Sequence, residues 1–197
     1  GEISMYYDPM IAKLCTWAPS RLAAIDHMSD ALDRFEVEGI GHNLPFLSAV
    51  MDHPKFIAGE MTTAFIEEEY PEGFKGVSLP EGDLIRVAAC CAAMYWVSEV
   101  RRTRVSGRMD NHERKVGKDW VVAFDDRSWP VRIDADHGGS TVTFKDGTAH
   151  RVSGDWTPGD TLAGMQVDES PLVLKVAEKT GGFRIRSRGA DFRVNLY

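Results

Sequence analysis

The chain has 197 residues, 43% hydrophobic and 27% charged, which are the proportions of a folded globular protein and exclude a disordered or fibrous one. Its net charge of −7 argues against nucleic-acid binding by the surface as a whole. No apolar run approaches the ~20 residues needed to cross a bilayer, and three cysteines do not make a disulfide framework.

The first third reads as mixed α/β. Residues 10–17 suit a strand. Ser20 caps a helix running to about Phe35, in which Leu22, Ile25, Met28, Leu32 and Phe35 recur at three and four, the helical period. Residues 37–40 read as a short extended piece. Asn43 opens a second helix over residues 44–51, with Pro45 in the first turn, where a missing N–H costs little. Thr62 or Thr63 caps a third helix that ends near Tyr70. Residues 71–82 (PEGFKGVSLPEG) have no period and are rich in Gly and Pro, so they read as a linker between two domains, 1–70 and 83–197.

Asp83 is the expected cap of a central helix reaching about Thr103. Its stretch Leu84-Ile-Arg-Val-Ala-Ala-Cys-Cys-Ala-Ala-Met-Tyr-Trp-Val97 is apolar on every side except for Arg86. A surface helix shows one apolar stripe and one wet face; a helix without a wet face has to be enclosed. Cys90 and Cys91 are adjacent here, where a bridge between them would be badly strained, so they read as reduced and buried.

Eight strand candidates follow at a spacing of roughly 8 to 11 residues: 120–125, 129–135, 140–145, 148–156, 161–167, 171–178, 183–187 and 191–197. Several alternate plainly, as in Phe183 and Ile185 against Arg184 and Arg186. The connections carry turn chemistry, of which Asp146-Gly147 is the strongest hairpin signal. Strands joined by short hairpins form an antiparallel meander, and its apolar face needs a core just as the helix needs a cover. The expected fold is therefore α+β: a C-terminal eight-stranded antiparallel β-barrel wrapped around a central apolar helix, preceded by a small mixed α/β segment. An eight-stranded barrel has an interior that side chains alone normally fill. The Ala88-Ala-Cys-Cys-Ala-Ala93 waist is what makes room for a helix, and at Met94, Tyr95 and Trp96 the barrel has to widen or the helix has to emerge.

Chemical motifs are sparse. The glycine pairs sit at hairpin positions, the six histidines show no metal-ligand spacing, and nothing after residue 72 reads as catalytic machinery. One segment stands out. Arg101, Arg102, Arg104, Arg108, Arg114, Lys115 and Lys118 lie within 18 residues and are opposed there only by Asp110 and Glu113. A long connection of this kind is often functional, and its charge suits an acidic partner.

The first 70 residues carry a resemblance. Tyr6-Tyr-Asp-Pro-Met-Ile-Ala-Lys-Leu14, Arg21-Leu-Ala-Ala-Ile25, Glu38-Gly-Ile-Gly-His-Asn-Leu-Pro-Phe-Leu47 and His53-Pro-Lys-Phe56 resemble the C-terminal part of biotin carboxylase domains. The apolar helix followed by eight strands resembles the connecting domain in α subunits of biotin-dependent acyl-CoA carboxylases of the propionyl-CoA type. The resemblance implies a piece of a longer polypeptide that is not itself catalytic. The ATP-grasp core, which uses ATP, Mg and bicarbonate, and the biotinyl domain with its Ala-Met-Lys-Met motif lie outside it. It also implies that Asp8 lies near the biotin-side dimer contact of the carboxylase. A hook between helix and first strand, here about residues 102–117, would touch the carboxyltransferase β subunit. Arg102, Arg104, Arg108, His112, Arg114 and Lys115 are the candidate contacts. The implied location is the cytoplasm in a bacterium and the mitochondrial matrix in a eukaryote. The alternatives are the α subunit of a methylcrotonyl- or other acyl-CoA carboxylase, or a hollow lipocalin-like barrel binding an apolar ligand, which would leave the helix packed outside.

Overall fold

A computed structural model of the chain describes residues 6, 8, 10–37, 39–104 and 114–197. These hold α1 (Arg21–Arg34), α2 (Leu44–Met51), α3 (Pro54–Ala58), α4 (Phe65–Glu69) and α5 (Glu81–Thr103). After them come β1 (Asp119–Ala123), β2 (Ser128–Asp136), β3 (Gly139–Phe144), β4 (Ala149–Gly154), β5 (Leu162–Val167), β6 (Ser170–Lys179), β7 (Gly182–Ser187) and β8 (Ala190–Leu196).

Ser20 caps α1 as its residue type dictates, its hydroxyl accepting from the Ala23 N–H at 3.3 Å. α2 matches its expected span, with Pro45 in its first turn. The expected strand over residues 10–17 is absent, because a strand exists only by pairing and no neighbouring strand among the described residues offers it a ladder. Residues 37 and 39–40 likewise carry no strand. α3 is an addition to the sequence reading: His53 Nδ1 accepts from the Lys55 N–H at 3.3 Å, and Pro54 fills the first position. At α4 the Thr62 hydroxyl turns the chain by accepting from Ala64 N–H, but Ala64 holds the cap position. Phe46, Tyr70 and Phe74 meet edge to face at 5.2 to 6.1 Å, so an aromatic residue from the Gly/Pro-rich stretch joins the packing of the helical part.

The strands form a closed barrel in sequence order, every neighbour antiparallel. Closure rests on two residue pairs, Val122↔Leu196 and Ala123↔Asn195, extended by the Val121 and Tyr197 backbone bonds at 3.0 and 3.2 Å. Outward side chains form cross-strand ion pairs, Arg132–Asp119, Arg151–Asp136 and Arg184–Asp191, at 2.6 to 2.8 Å. Exposed pairs of this kind add at most about 1 kcal/mol each.

α5 fills the barrel. Val87, Ala88, Ala89, Cys90, Cys91 and Ala92 have 0% exposure and form one cluster with inward residues of the strands, Ile133, Val142, Val152, Leu174, Ile185 and Val194 among them. Two details differ from the sequence reading. Pro80, not Asp83, occupies the N-cap, and Asp83 instead faces Arg86 at 3.5 Å within the first turn, where a carboxylate favours the positive end of the helix. At the other end the helix emerges: Tyr95 and Trp96 are half-buried and Val97 is 38% exposed. The hollow-barrel alternative is excluded, because the helix occupies the lumen.

Enclosure has a chemical consequence. Burial pushes the Cys90 thiol up to about 12 and holds the Cys91 thiol well above its ordinary value, while Cys15 is exposed. Since the thiolate is the reactive form, a thiol reagent should label one cysteine rapidly in the native chain and the other two only at the rate of unfolding. Fast labelling of all three without denaturant would contradict an enclosed helix.

The helical part and the barrel meet along β6 and the β7–β8 turn. Leu174 and Val176 point inward, whereas Lys175 points out and donates to the Leu32 carbonyl at the end of α1 at 3.0 Å. The turn inserts between α1 and α2. Arg188 N–H donates to Asp33 at 2.8 Å, and its guanidinium lies 3.4 Å from the same carboxylate. Gly189, at φ +77°, sits so close to α2 that a Cβ there would be 2.7 Å from the Pro45 carbonyl, so only glycine fits. Burial raises the Asp33 pKa against the pull of Arg188.

Candidate docking site at the end of the central helix

Arg86, near the start of α5, reaches the Ser170 carbonyl at the start of β6 at 3.4 Å, which marks the end where the helix enters. At the opposite end Tyr95 packs edge to face on Trp120 at 5.2 Å and on Phe183 at 6.1 Å, and Trp156 closes on Phe183 at 5.8 Å. This aromatic collar holds α5 where its bulk returns. The last turn beyond it carries Arg101 and Arg102, cations placed at the negative end of the helix dipole.

The candidate contact residues fall into three groups. Arg104 and Lys115 are exposed. Arg108 and His112 lie outside the described residues. Arg102 and Arg114 converge on one carboxylate, that of Glu99. Arg102 Nη1 meets Glu99 Oε1 at 2.5 Å, and Arg114 Nη2 bonds Glu99 Oε2. The Glu99 side chain is 3% exposed, whereas those of Arg102 and Arg114 are 54% and 51% exposed. After Arg114 the chain is held again: Trp120 Nε1 donates to the Gly117 carbonyl at 2.8 Å, and Lys118 pairs with Asp134 at 2.6 Å.

Glu99 is the residue the sequence reading passes over. Its only local signal is the three-residue spacing to Arg102, one helical turn. Asp8 has no such convergence: it is exposed at the rim of an apolar groove lined by Met10, Ile11, Leu32, Leu44 and Leu47. No described contact links it to the basic end.

The chemistry available here is electrostatic. Two guanidiniums share one buried carboxylate and stay half in solvent, beside two further exposed cations, which suits carboxylates on a facing surface. Among the described residues no group of three or more His, Cys, Asp and Glu side chains is placed to hold a metal ion. The sequence contains no Ala-Met-Lys-Met motif. These residues do not fit a resident magnesium or an attached biotin. No helix among the described residues is long and apolar enough to cross a membrane.

Comparison with known proteins agrees with this architecture. Residues 87–197 match the family model of the propionyl-coenzyme A carboxylase BT domain, and residues 1–68 match that of the biotin carboxylase C-terminal domain. A propionyl-CoA carboxylase alpha chain from Ruegeria pomeroyi is 72% identical over 196 residues, covering 100% of this chain and 29% of the relative. The mitochondrial propionyl-CoA carboxylase alpha chain of Mus musculus is 30% identical over 208 residues, covering 100% of this chain and 28% of the relative. A mitochondrial methylcrotonoyl-CoA carboxylase subunit alpha from Dictyostelium discoideum is 46% identical but covers only 33% of this chain and 9% of its own length. The chain thus spans less than a third of these relatives. With a filled barrel whose residues match the BT-domain model over more than half the sequence, the chain belongs to the propionyl-CoA carboxylase BT-domain family, joined to the C-terminal part of a biotin carboxylase domain.

Proposed function

We propose that this chain is the linking module of a propionyl-CoA carboxylase α subunit. In this reading residues 1–70 complete the biotin carboxylase domain, 71–82 form the connection, and 83–197 form the barrel that seats the carboxyltransferase β subunit. Arg102, Arg104, Arg108, His112, Arg114 and Lys115 make the contact with β. The whole enzyme carboxylates propionyl-CoA to methylmalonyl-CoA, with biotin on a separate domain and with ATP, magnesium and bicarbonate used by the rest of the carboxylase domain. It works in the cytoplasm of a bacterium or in the mitochondrial matrix of a eukaryote. The barrel's own role is spacing. A rigid, helix-filled body holds two reaction centres at a distance that a carried group can cross, and the α5 rod alone is about 34 Å long.

The observation that carries the docking reading is the concentration of cations where α5 leaves the barrel, in a chain of net charge −7. Opposite charge on the partner would steer encounter and set register. The alternative methylcrotonyl assignment is less favoured, since the relative of that name covers only a third of this chain.

Replacing residues 102–117 in the full α chain with a Gly/Ser linker of equal length tests the reading. The barrel should stay folded, and co-purification with the β subunit should be lost. Retained co-purification would overturn the docking assignment.

A further inference from the structure

We propose that the seam between the helical part and the barrel holds a binding site for a small oxyanion, built on Lys175 of β6 and Arg186 of β7 with His42 beside them. The inference is independent of the docking reading above.

Lys175 and Arg186 stand directly opposite each other in the β6–β7 ladder, on its outer face. Like charges so placed repel and weaken the strand pair. A second like-charged pair, Arg184 opposite Arg193 in the β7–β8 ladder, is relieved, because Asp191 holds Arg184 at 2.9 and 2.7 Å. Lys175 and Arg186 have no such relief: among the described residues neither forms an ion pair. The carboxylates around them are engaged elsewhere. Asp191 lies opposite Arg186 but bonds Arg184, and Asp33 near Lys175 bonds Arg188. Glu36 accepts from the Thr161 hydroxyl at 3.4 Å. Lys175 uses one donor on the Leu32 carbonyl, and the half-buried Arg186 guanidinium has no hydrogen-bond partner among the described residues.

His42 is a third group short of an acceptor. Its Nδ1 is buried without a hydrogen-bond partner. It shares with Lys175 and Arg186 a cavity of about 30 Å³, room for a water. Burial, then Arg186 and Lys175, lower the His42 pKa, so the ring is neutral and can donate from Nδ1 in one tautomer. Burial also lowers the Lys175 pKa, and Arg186 adds to the lowering. On the outer side the same two cations line a cleft of about 360 Å³, bounded across from them by the turn at Gly159 and Asp160. Asp160 is held by Thr157 at 2.8 and 2.9 Å, and Glu178 accepts from the Gly159 N–H at 2.8 Å. This acidic rim disfavours a large polyanion and leaves room for a small one. A guanidinium edge meets two oxygens of an oxyanion at once, and the ammonium adds a point charge. One bound ion would remove the repulsion across the ladder and tie β6 and β7 together beside α1.

The test is hydrogen exchange in the full α chain, with inorganic phosphate replacing chloride at constant ionic strength. Phosphate at twice its Kd should slow exchange about threefold in residues 40–48 and 172–188. Residues 131–152, on the far side of the barrel, should not respond. Arg186→Gln should abolish the effect. Arg186→Glu, which sets a carboxylate opposite Lys175, should abolish it too and show slowed exchange without phosphate. If the parent does not respond while Arg186→Gln exchanges faster there without phosphate, a carboxylate of the polypeptide fills the seam and the proposal is overturned. No response in the parent and no change in the variant overturns it as well. Slowing that persists in Arg186→Gln and in Lys175→Gln, or that spreads evenly over the chain, means that phosphate acts elsewhere and there is no site. Should Arg186→Gln fail to fold, Lys175→Gln gives the same comparison, and a response equal to the parent's overturns the site.

Discussion

Gly182→Ala is expected to lower stability by about 3 kcal/mol, the range of an overpacked site that cannot relax. That corresponds to a melting temperature roughly 6–12 °C lower for a chain of this size. Gly182 lies opposite Asn195 in the β7–β8 ladder and opposite Lys179 in the β6–β7 ladder. A Cβ at this position would be 2.0 Å from the Val194 carbonyl oxygen and 2.9 Å from the Asn195 Cα. Both are backbone atoms, so no side-chain rotation relieves the clash and the strands must part. Asn195 is also one of the two residues through which β8 closes onto β1. A push on Asn195 therefore reaches the weakest ladder of the barrel. The next residue, Phe183, holds Tyr95 and Trp156 in the collar. Gly164→Ala in β5, where an added Cβ meets nothing within 4 Å, is the control and should change stability by less than about 0.5 kcal/mol. Equal thermal transitions for the two variants would contradict the placement of Gly182.

Ala92→Leu should destabilise the chain by about 1–3 kcal/mol, read as a lower urea midpoint with unchanged slope. Ala92 is fully enclosed, with cysteine and alanine on either side along the waist and the strands' inward side chains around it. Three extra carbons have no space to enter, because interiors are packed to crystal density and yield only by shifting backbone. The same α5 carries a comparison site: Val97 lies past the collar with 38% exposure, and Val97→Leu should fall within about 0.5 kcal/mol of the parent. An unchanged midpoint for Ala92→Leu would mean that the barrel does not close on the helix.

The barrel was largely legible before its structure. The expected strand 183–187 differs from β7 by one residue, and 171–178 differs from β6 by one at each end, because period-two alternation and hairpin residues are local properties. The segment at residues 10–17 shows the opposite case. Its residues suit a strand, but strand formation depends on a partner ladder, which no local pattern can supply. The helix cap failed for a related reason. Asp83 is a good capping residue, yet Pro80 already directs the chain into the helix three residues earlier, leaving Asp83 to face Arg86. At the candidate site the sequence showed the cations, and their charge alone named the kind of partner. It did not show that Arg102, Arg114 and Lys118 are already engaged.

What the sequence determined by itself is the division of labour: an all-apolar helix that must be enclosed, eight alternating strands able to enclose it, and a basic segment placed between them. These follow from side-chain size, polarity and period, all read within a few residues. Only the tertiary structure decided which charges meet. Arg114 finds Glu99 across 15 positions and Arg188 finds Asp33 across 155. A charge carries no information about its partner along the chain; its partner is set by the path of the backbone. That path brings Arg114 back to the buried carboxylate at the end of the central helix.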